Sequence, residues 1–307
     1  MVTRTYRPIH VAHLASGTEL ILPVHEIIGT RTGPTLGISA GIHGEESVGV
    51  EIVYRFLQNY DLGNLAGRLL VLTVANPFSY SAITRATPID MVNLNRVFPG
   101  NADGLLTEQL AFKMAEGFLK KINYYVDMHA GGAYPTVDYV YILNAESLSR
   151  AFGSPLLYRA KETLAGTSVS VTREFNIPSV VVELGGGDID QTGYVQRGIT
   201  GLANILKTLK MLPGDPVPPP KQTVLNEIAI LRPHHGGLLL PEVTDLGIEV
   251  THGQILGRIV SPYSLEELEV VRCPFNRGIM VLTQRTANVV EPGIYGYMIG
   301  DLETAER

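Results

Sequence analysis

Between residues 35 and 212, short apolar, β-branched runs alternate with amphipathic stretches, and this alternation constrains the fold more than any other feature. The runs at 35–42, 69–75, 122–128, 137–143 and 177–183 read as strands, and the stretches at 46–59, 107–120, 155–165 and 189–211 read as helices. Strands that are apolar almost without a break, and spaced by helices, indicate a largely parallel sheet covered on both faces. Thr107 is the expected N-cap of the second helix, with Leu110, Met114 and Phe118 along its buried stripe. The last helix carries Ile199, Leu202, Ile205, Leu206 and Leu209 at helical spacing.

Residues 213–220, with five prolines and a glycine among the eight, break any helix and read as a stiff linker. Beyond them the texture changes to short strands and turn residues, with a helix conceivable only at Leu265–Leu268. This tail repeats itself weakly at a spacing of 40: Arg232 matches Arg272, Val250 matches Val290, Gly253 matches Gly293 and Ile259 matches Ile299. A small β-sandwich or barrel built from two related halves would produce such a pattern. The division expected is therefore residues 1–212 as one unit and 221–307 as a β-rich second unit, in keeping with 307 residues.

Hydrophobic residues make up 45% of the chain and charged residues 18%, the balance of a well-buried globular protein. A net charge of −6 argues against a nucleic-acid partner, which needs a basic face. The sole cysteine, Cys273, excludes an internal disulfide and a thiolate metal site, and fits a reducing compartment. The first residues lack the apolar core of a secretory signal, and no apolar stretch approaches the ~20 residues needed to span a bilayer. A cytoplasmic location with no membrane partner is expected, while a homo-oligomer stays open.

The chemistry gathers where the apolar runs end. The first runs into His43-Gly44-Glu45-Glu46, which offers an imidazole and a carboxylate three residues apart, close enough to reach one metal ion. The third ends in His129 and the fifth in Glu183. In open α/β sheets the carboxyl ends of the strands converge on one crevice. Two histidines and one carboxylate would leave zinc an open fourth position for water, the layout of a catalytic site, and a second carboxylate is a candidate base for that water. The competing reading is that each side chain makes ordinary core or surface hydrogen bonds. Asp127 would orient a liganding histidine or cap local backbone. The glycines at 131–132 and 185–187 admit close approach of a ligand or form simple turns. Glu45 reads as a first-turn residue favoured by the helix dipole. His234 and His235 lie in the tail, away from this pattern.

Four ordered motifs, Gly41-Ile42-His43-Gly44-Glu45-Glu46, Asn93-Leu94-Asn95-Arg96-Val97-Phe98-Pro99-Gly100, Asp127-Met128-His129 and Val182-Glu183-Leu184-Gly185-Gly186-Gly187, resemble the aspartoacylase/succinylglutamate desuccinylase family across essentially the whole chain. Within it, the texture is similar to the bacterial branch of N-acetyl-diaminobutyrate deacetylases. The resemblance implies a zinc-carboxypeptidase-like fold: a mostly parallel mixed α/β sheet with helices on both faces, plus a carboxy-terminal all-β sandwich or barrel domain bordering the active site. It implies His43, Glu46 and His129 as ligands of one Zn²⁺ per chain and Glu183 as general base. It further implies Arg85 as the group polarising the scissile carbonyl, and Asn95 and Arg96 as holding a substrate carboxylate. Arg173, ten residues before Glu183, is similar in placement to an arginine reading a second carboxylate.

The activity so implied is zinc-dependent hydrolysis of the amide bond in a small, carboxylate-bearing N-acyl amino acid. A metallocarboxypeptidase acting on peptides would share the chemistry but need a wider cleft. Against a zinc-containing binding protein without turnover speaks the presence of both Glu183 and the Asn95-Arg96 pair.

Overall fold

The computed structural model describes residues 1–161, 164–217 and 221–306. The chain opens with three strands, β1 (Thr3–His13), β2 (Glu19–Ile28) and β3 (Arg31–Ala40), followed by α1 (Ser47–Asn59) and β4 (Ala66–Leu72). Helices α2 (Pro77–Ala82) and α3 (Leu106–Gly117) lead to β5 (Tyr124–His129) and β6 (Pro135–Ile142). Then come α4 (Glu146–Phe152), β7 (Leu156–Arg159), α5 (Ser168–Glu174), β8 (Ser179–Gly185) and α6 (Thr192–Thr208). The tail holds strands only: β9 (Thr223–Leu225), β10 (Ile228–Leu231), β11 (Gly237–Pro241), β12 (Glu249–Thr251) and β13 (Ile255–Val260). It ends with β14 (Glu267–Arg272), β15 (Arg277–Gln284), β16 (Asn288–Val290) and β17 (Tyr297–Asp301).

The main sheet runs β1-β2-β4-β3-β5-β8-β6-β15-β17-β10, with β7 beside β6. Its centre is parallel, β4, β3, β5 and β8, as continuously apolar strands require. On one face α1, α4 and α6 close a core around Ile38, Ile52, Phe56 and Leu202. On the other, α3, α5 and the β1–β2 ribbon cover Leu22, Leu70, Met114 and Phe118. The sheet is thus α/β, mixed and covered by helices on both faces.

Three expectations need correction. The stretch 155–165 is not a helix: Leu156–Arg159 is a strand that pairs parallel to β6, and residues 162–163 lie outside the described residues. Leu156 and Leu157 are both buried, as in a strand whose two faces are covered, and the parallel pairing with β6 fixes the segment as one. Thr107 does not cap α3. It sits inside the first turn, fully buried, and its N–H and hydroxyl both donate to the Asp90 carboxylate at 2.8 Å. At Leu265–Leu268 the chain leaves the turn at 262–264 and enters β14 at Glu267 rather than forming a helix. The proline-rich stretch is described only to Val217, where Asn204 of α6 binds its backbone; residues 218–220 lie outside the described residues.

The 40-residue correspondence in the tail has a structural counterpart. Displaced by 40, β10, β11, β12 and β13 fall on β14, β15, β16 and β17. Ile230 pairs with Met298 as Val270 pairs with Arg258, with partners exchanged between the halves. The Arg272 guanidinium donates to the Gly253 carbonyl at 2.9 Å and that of Arg232 to the Gly293 carbonyl at 2.5 Å. The halves interleave into two sheets. One, β14-β13-β11-β16, stands apart. The other, β12, β15, β17 and β10, is joined to the main sheet where Leu282 of β15 pairs with Val137 of β6.

Candidate active site

The parallel strands deliver the chemistry to one edge. After β3 the chain turns at Gly41, whose φ of +64° favours glycine, and passes through His43 and Glu46 before α1 begins. Gly44 lies so close beneath α2 that an added Cβ would fall 1.8 Å from the Ser79 carbonyl oxygen, which locks the turn. In the next strand β5 ends on His129, and β8 places Glu183 in register beside it. Four residues from three chain segments so converge at the carboxyl ends of adjacent strands.

Glu46 is the hub. Its Oε1 lies 2.7 Å from His43 Nδ1 and its Oε2 2.8 Å from His129 Nδ1. The Ala130 N–H donates to Oε2 at 3.2 Å, and Arg85 donates to Oε1 at 3.1 Å. His43, Glu46 and His129 are each at least 97% buried, and their ligand atoms all lie within 4.8 Å of one another.

The outer ring nitrogens fix the tautomers. His43 Nε2 is 3.1 Å from Asn93 Oδ1, an oxygen that also accepts the Asn95 N–H. His129 Nε2 is 3.2 Å from Asp127 Oδ2. His129 Nε2 also lies 3.5 Å from the Asn95 amide nitrogen. With the proton on each outer nitrogen, facing Asn93 and Asp127, the neutral rings turn both Nδ1 lone pairs to a carboxylate. That arrangement is repulsive unless a proton or a cation stands between them. Two imidazole nitrogens and one carboxylate are a donor set that suits zinc, so the residues present fit a metal ion. Asp127 fills the orienting role: it is 1% exposed and accepts the Ser39 and Ser168 hydroxyls at 2.7 and 2.5 Å.

Electrostatics follow from this packing. Burial works against charge on Glu46, yet His43 and His129 hold its carboxyl well below the usual range. For Asp127 burial is again outweighed, here by the charge and hydrogen bond of His129 and by the two serines, and its carboxyl lies low. Against burial, Asp127 and Glu46 raise His129 well above the ordinary histidine value. Burial lowers His43, with Arg85 and His129 adding to the effect against Glu46. Burial pushes the Glu183 carboxyl up to about 8, with Glu46 and Asp127 adding to the rise and His129 and Arg85 opposing it. Glu183 is only partly covered by neighbours and opens onto the cavity.

That cavity measures about 530 Å³ and is lined by the cluster, Glu183, Arg85, Asn95 and Arg96. Asn95 is 8% exposed, its Oδ1 accepting the Ser168 N–H at 3.0 Å, while Arg96 is exposed and braced on the Asn95 carbonyl at 2.7 Å. Arg173 is not brought to this site. It lies exposed in the last turn of α5 and does not line the cavity, because α5 turns its buried face, Val169, Val171 and Thr172, to the sheet. His234 and His235 are exposed in the tail, where their backbone N–H groups donate to Glu269.

Sequence reasoning did not single out the tyrosines. Tyr139 and Tyr141 of β6 share one face and Tyr158 of β7 stands beside them; all three line the cavity, as does Tyr295 from the tail. The alternation Tyr139-Val140-Tyr141 was a usable signal for the first two, since a period of two puts them on one face. Nothing local marks Tyr295.

A hub carboxylate, two imidazoles and a flanking glutamate at the carboxyl edge of a parallel sheet define an α/β protein with a candidate metal centre. Comparison with known proteins makes this specific: residues 32–209 match the succinylglutamate desuccinylase/aspartoacylase catalytic domain, and the chain belongs to that family. It is 28% identical over 258 residues to the N-alpha-acetyl-L-2,4-diaminobutyric acid deacetylase of Halomonas elongata, covering 78% of this chain and 74% of the relative. A succinylglutamate desuccinylase structure from a Silicibacter species superposes with a TM-score of 0.84 at 23% identity, covering 98% of this chain and 94% of that one. A product-bound structure of the ectoine utilization protein EutE (DoeB) of Ruegeria pomeroyi gives 0.86 at 22% identity, covering 98% and 95%. At that identity the structural likenesses establish the fold.

Proposed function

We propose that this chain is a zinc-dependent amidohydrolase that cleaves the acyl group from a small N-acyl amino acid, with one Zn²⁺ held by His43, Glu46 and His129. The observation that carries this is the pair of imidazole Nδ1 atoms converging on the two oxygens of Glu46 beside Glu183. Zinc in such a site lowers the pKa of bound water towards ~7 and polarises a carbonyl. With the metal bound, Glu183 would take a proton from the water and pass it to the departing amine. Arg85 donates to the oxygen on which negative charge builds as the amide is attacked. Arg96 offers a planar fork and Asn95 a neutral donor for the substrate carboxylate. Membership of a family whose catalytic domain is named for a desuccinylase and an aspartoacylase supports the reading, as does the similarity to a diaminobutyric acid deacetylase.

We assign residues 1–212 to the catalytic unit and 221–307 to a β unit that restricts the mouth. Asn226, Ile228, Tyr295 and Met298 of the tail line the cavity, which favours small substrates over the peptides a carboxypeptidase accepts. Among the described residues no helix is long and apolar enough to cross a membrane. Our cytoplasmic assignment rests on the single cysteine, which fits a reducing compartment. The test is metal analysis followed by amine release from acetylated, formylated and succinylated amino acids, with peptides alongside, with and without a chelator. Stoichiometric zinc and chelator-sensitive cleavage of one acyl class are expected. Release of C-terminal residues from peptides alone would replace this reading with the carboxypeptidase, and zinc without turnover would leave a binding protein.

A further inference from the structure

We propose that Glu45 is a positioning residue: it takes the Arg85 guanidinium off the Glu46 carboxylate, so that Glu46 is available to a divalent cation. The proposal rests on the metal-dependent reading above and deepens it.

The conflict it resolves is geometric. Arg85 Nη1 lies 3.1 Å from Glu46 Oε1, the same oxygen that sits 2.7 Å from His43 Nδ1. A metal ion on that oxygen and a guanidinium on that oxygen are two positive charges within a few ångströms, and in a largely buried site their repulsion is poorly screened. Arg85 therefore competes with the cation unless a second anion holds it.

Among the described residues, Glu45 and Glu46 are the carboxylates in ion-pair range of Arg85, with Glu45 Oε1 3.6 Å from the same Nη1. Glu45 is not a member of the metal cluster. The backbone aims the two acids differently. With Gly44 locked beneath α2, Glu46 turns into the cluster and Glu45 runs beside Arg85 along the loop after β5. There its Oε1 would lie 3.0 Å from a Cβ at Gly132, a residue whose φ of +90° already favours glycine. The Glu45 side chain is 21% exposed and that of Arg85 41%. A carboxylate serving only the helix dipole would have no reason to be packed between a glycine backbone and an arginine. Moved onto Glu45, the guanidinium leaves Glu46 without leaving the cavity, where our reading needs it to meet the substrate.

The test is a double-mutant cycle read by zinc affinity, using competition with a chromophoric chelator on full-length, metal-stripped protein. Glu45→Gln is expected to weaken zinc binding roughly tenfold. Arg85→Gln should raise affinity less in the wild type, where Glu45 offers the displaced arginine a second carboxylate, than in the Glu45→Gln background, where Arg85 has only Glu46 left and its removal should recover roughly tenfold. Equal gains from Arg85→Gln in both backgrounds would mean that the two charges act independently, and would overturn the proposal. Unchanged affinity in Glu45→Gln would overturn it too. Should Glu45→Gln fail to fold, Glu45→Asp keeps the charge and shortens the reach; the gain from Arg85→Gln must still exceed that in the wild type. A wild-type chain that binds no zinc, or whose binding survives His129→Gln, would sink the underlying reading, whereas zinc binding with equal gains sinks this inference alone.

Discussion

The first 212 residues and the tail are both built of short apolar strands, but only the first part carries the charged machinery. There, parallel strands bring His43, His129 and Glu183 to one edge because every strand ends on the same side. In the tail the strands pair antiparallel with one another, β9 beside β7 being the parallel exception, so their ends scatter. What reaches the cavity is mostly wall: Ile228, Ile230, Leu282, Tyr295 and Met298, with Asn226 and Glu227 the polar additions. Even within the tail, equivalent strands meet different fates. β15 and β17, annexed to the main sheet, are buried almost throughout, whereas β11, the counterpart of β15, has one fully buried residue in five. Strand direction decides where chemistry can assemble, and the neighbouring surface decides what each strand must be made of.

Chemistry in one part and wall in the other predicts unequal mutational effects. The largest is at the base. Glu183→Gln should lower kcat for an N-acyl amino acid by roughly a thousandfold while zinc content, measured by elemental analysis, stays at the wild-type level. A variant that loses zinc in step with activity would mean Glu183 is a ligand. The next effect separates the two sheets of the tail. Met280 in β15 is fully buried, and its counterpart forty residues earlier, Leu240 in β11, is 38% exposed. Met280→Ala should cost about 3 kcal/mol in urea unfolding. Leu240→Ala should cost below about 1 kcal/mol. Similar costs would show that the core between the two sheets of the tail, where Met280 packs with Leu239 and Tyr297, contributes nothing to β15.

Much of this contrast was legible in the sequence, for reasons visible in particular residues. The strands ending at His129 and Glu183 announced themselves because a strand covered on both faces must be apolar at every position. The stretch from 155 to 165 misled because Leu, Ala, Lys and Glu are good helix formers, while the partner strand that draws Leu156–Arg159 into the sheet lies elsewhere in the chain. The first half of β1 carried no such signal: Thr3–Pro8 is wholly exposed, so selection for apolar residues is absent there. Arg173 shows the limit of counting along the chain, since ten residues before Glu183 is a distance in sequence and α5 turns that position to solvent. Tyr295 shows the converse, a cavity residue positioned by an arginine stacked 4.3 Å from its ring and by a strand pairing far from the metal cluster.

A smaller effect tests the substrate-carboxylate pair. Arg96→Lys keeps the charge but removes the planar fork, and should raise KM roughly tenfold for an N-acyl amino acid. The corresponding N-acyl amide of a simple amine, which lacks the carboxylate, should show no change, and zinc content should hold. An equal KM increase for both substrates would make Arg96 a structural brace for the Asn95 loop rather than a carboxylate contact.

The last test concerns stability, and it singles out the ionisation of Glu183. In metal-free protein its carboxyl is pushed up to about 8, mainly by burial. In the unfolded chain it titrates near ~4.3. The folded state therefore binds this proton more tightly, so the associated stability is fully present below the unfolded value and is lost as pH rises through the folded one. Glu183→Gln cannot ionise and escapes that loss. The difference in Tm between the variant and the wild type, both stripped with a chelator, should be small near pH 4, widen in favour of the variant from there to about 8, and level off above it. Taking a difference between two proteins cancels the contributions of His43, Glu46, Asp127 and His129 to first order, because all four are present in both. A gap that stays flat across this window would mean that Glu183 ionises at its ordinary value, and would place the carboxylate in water rather than against the cluster.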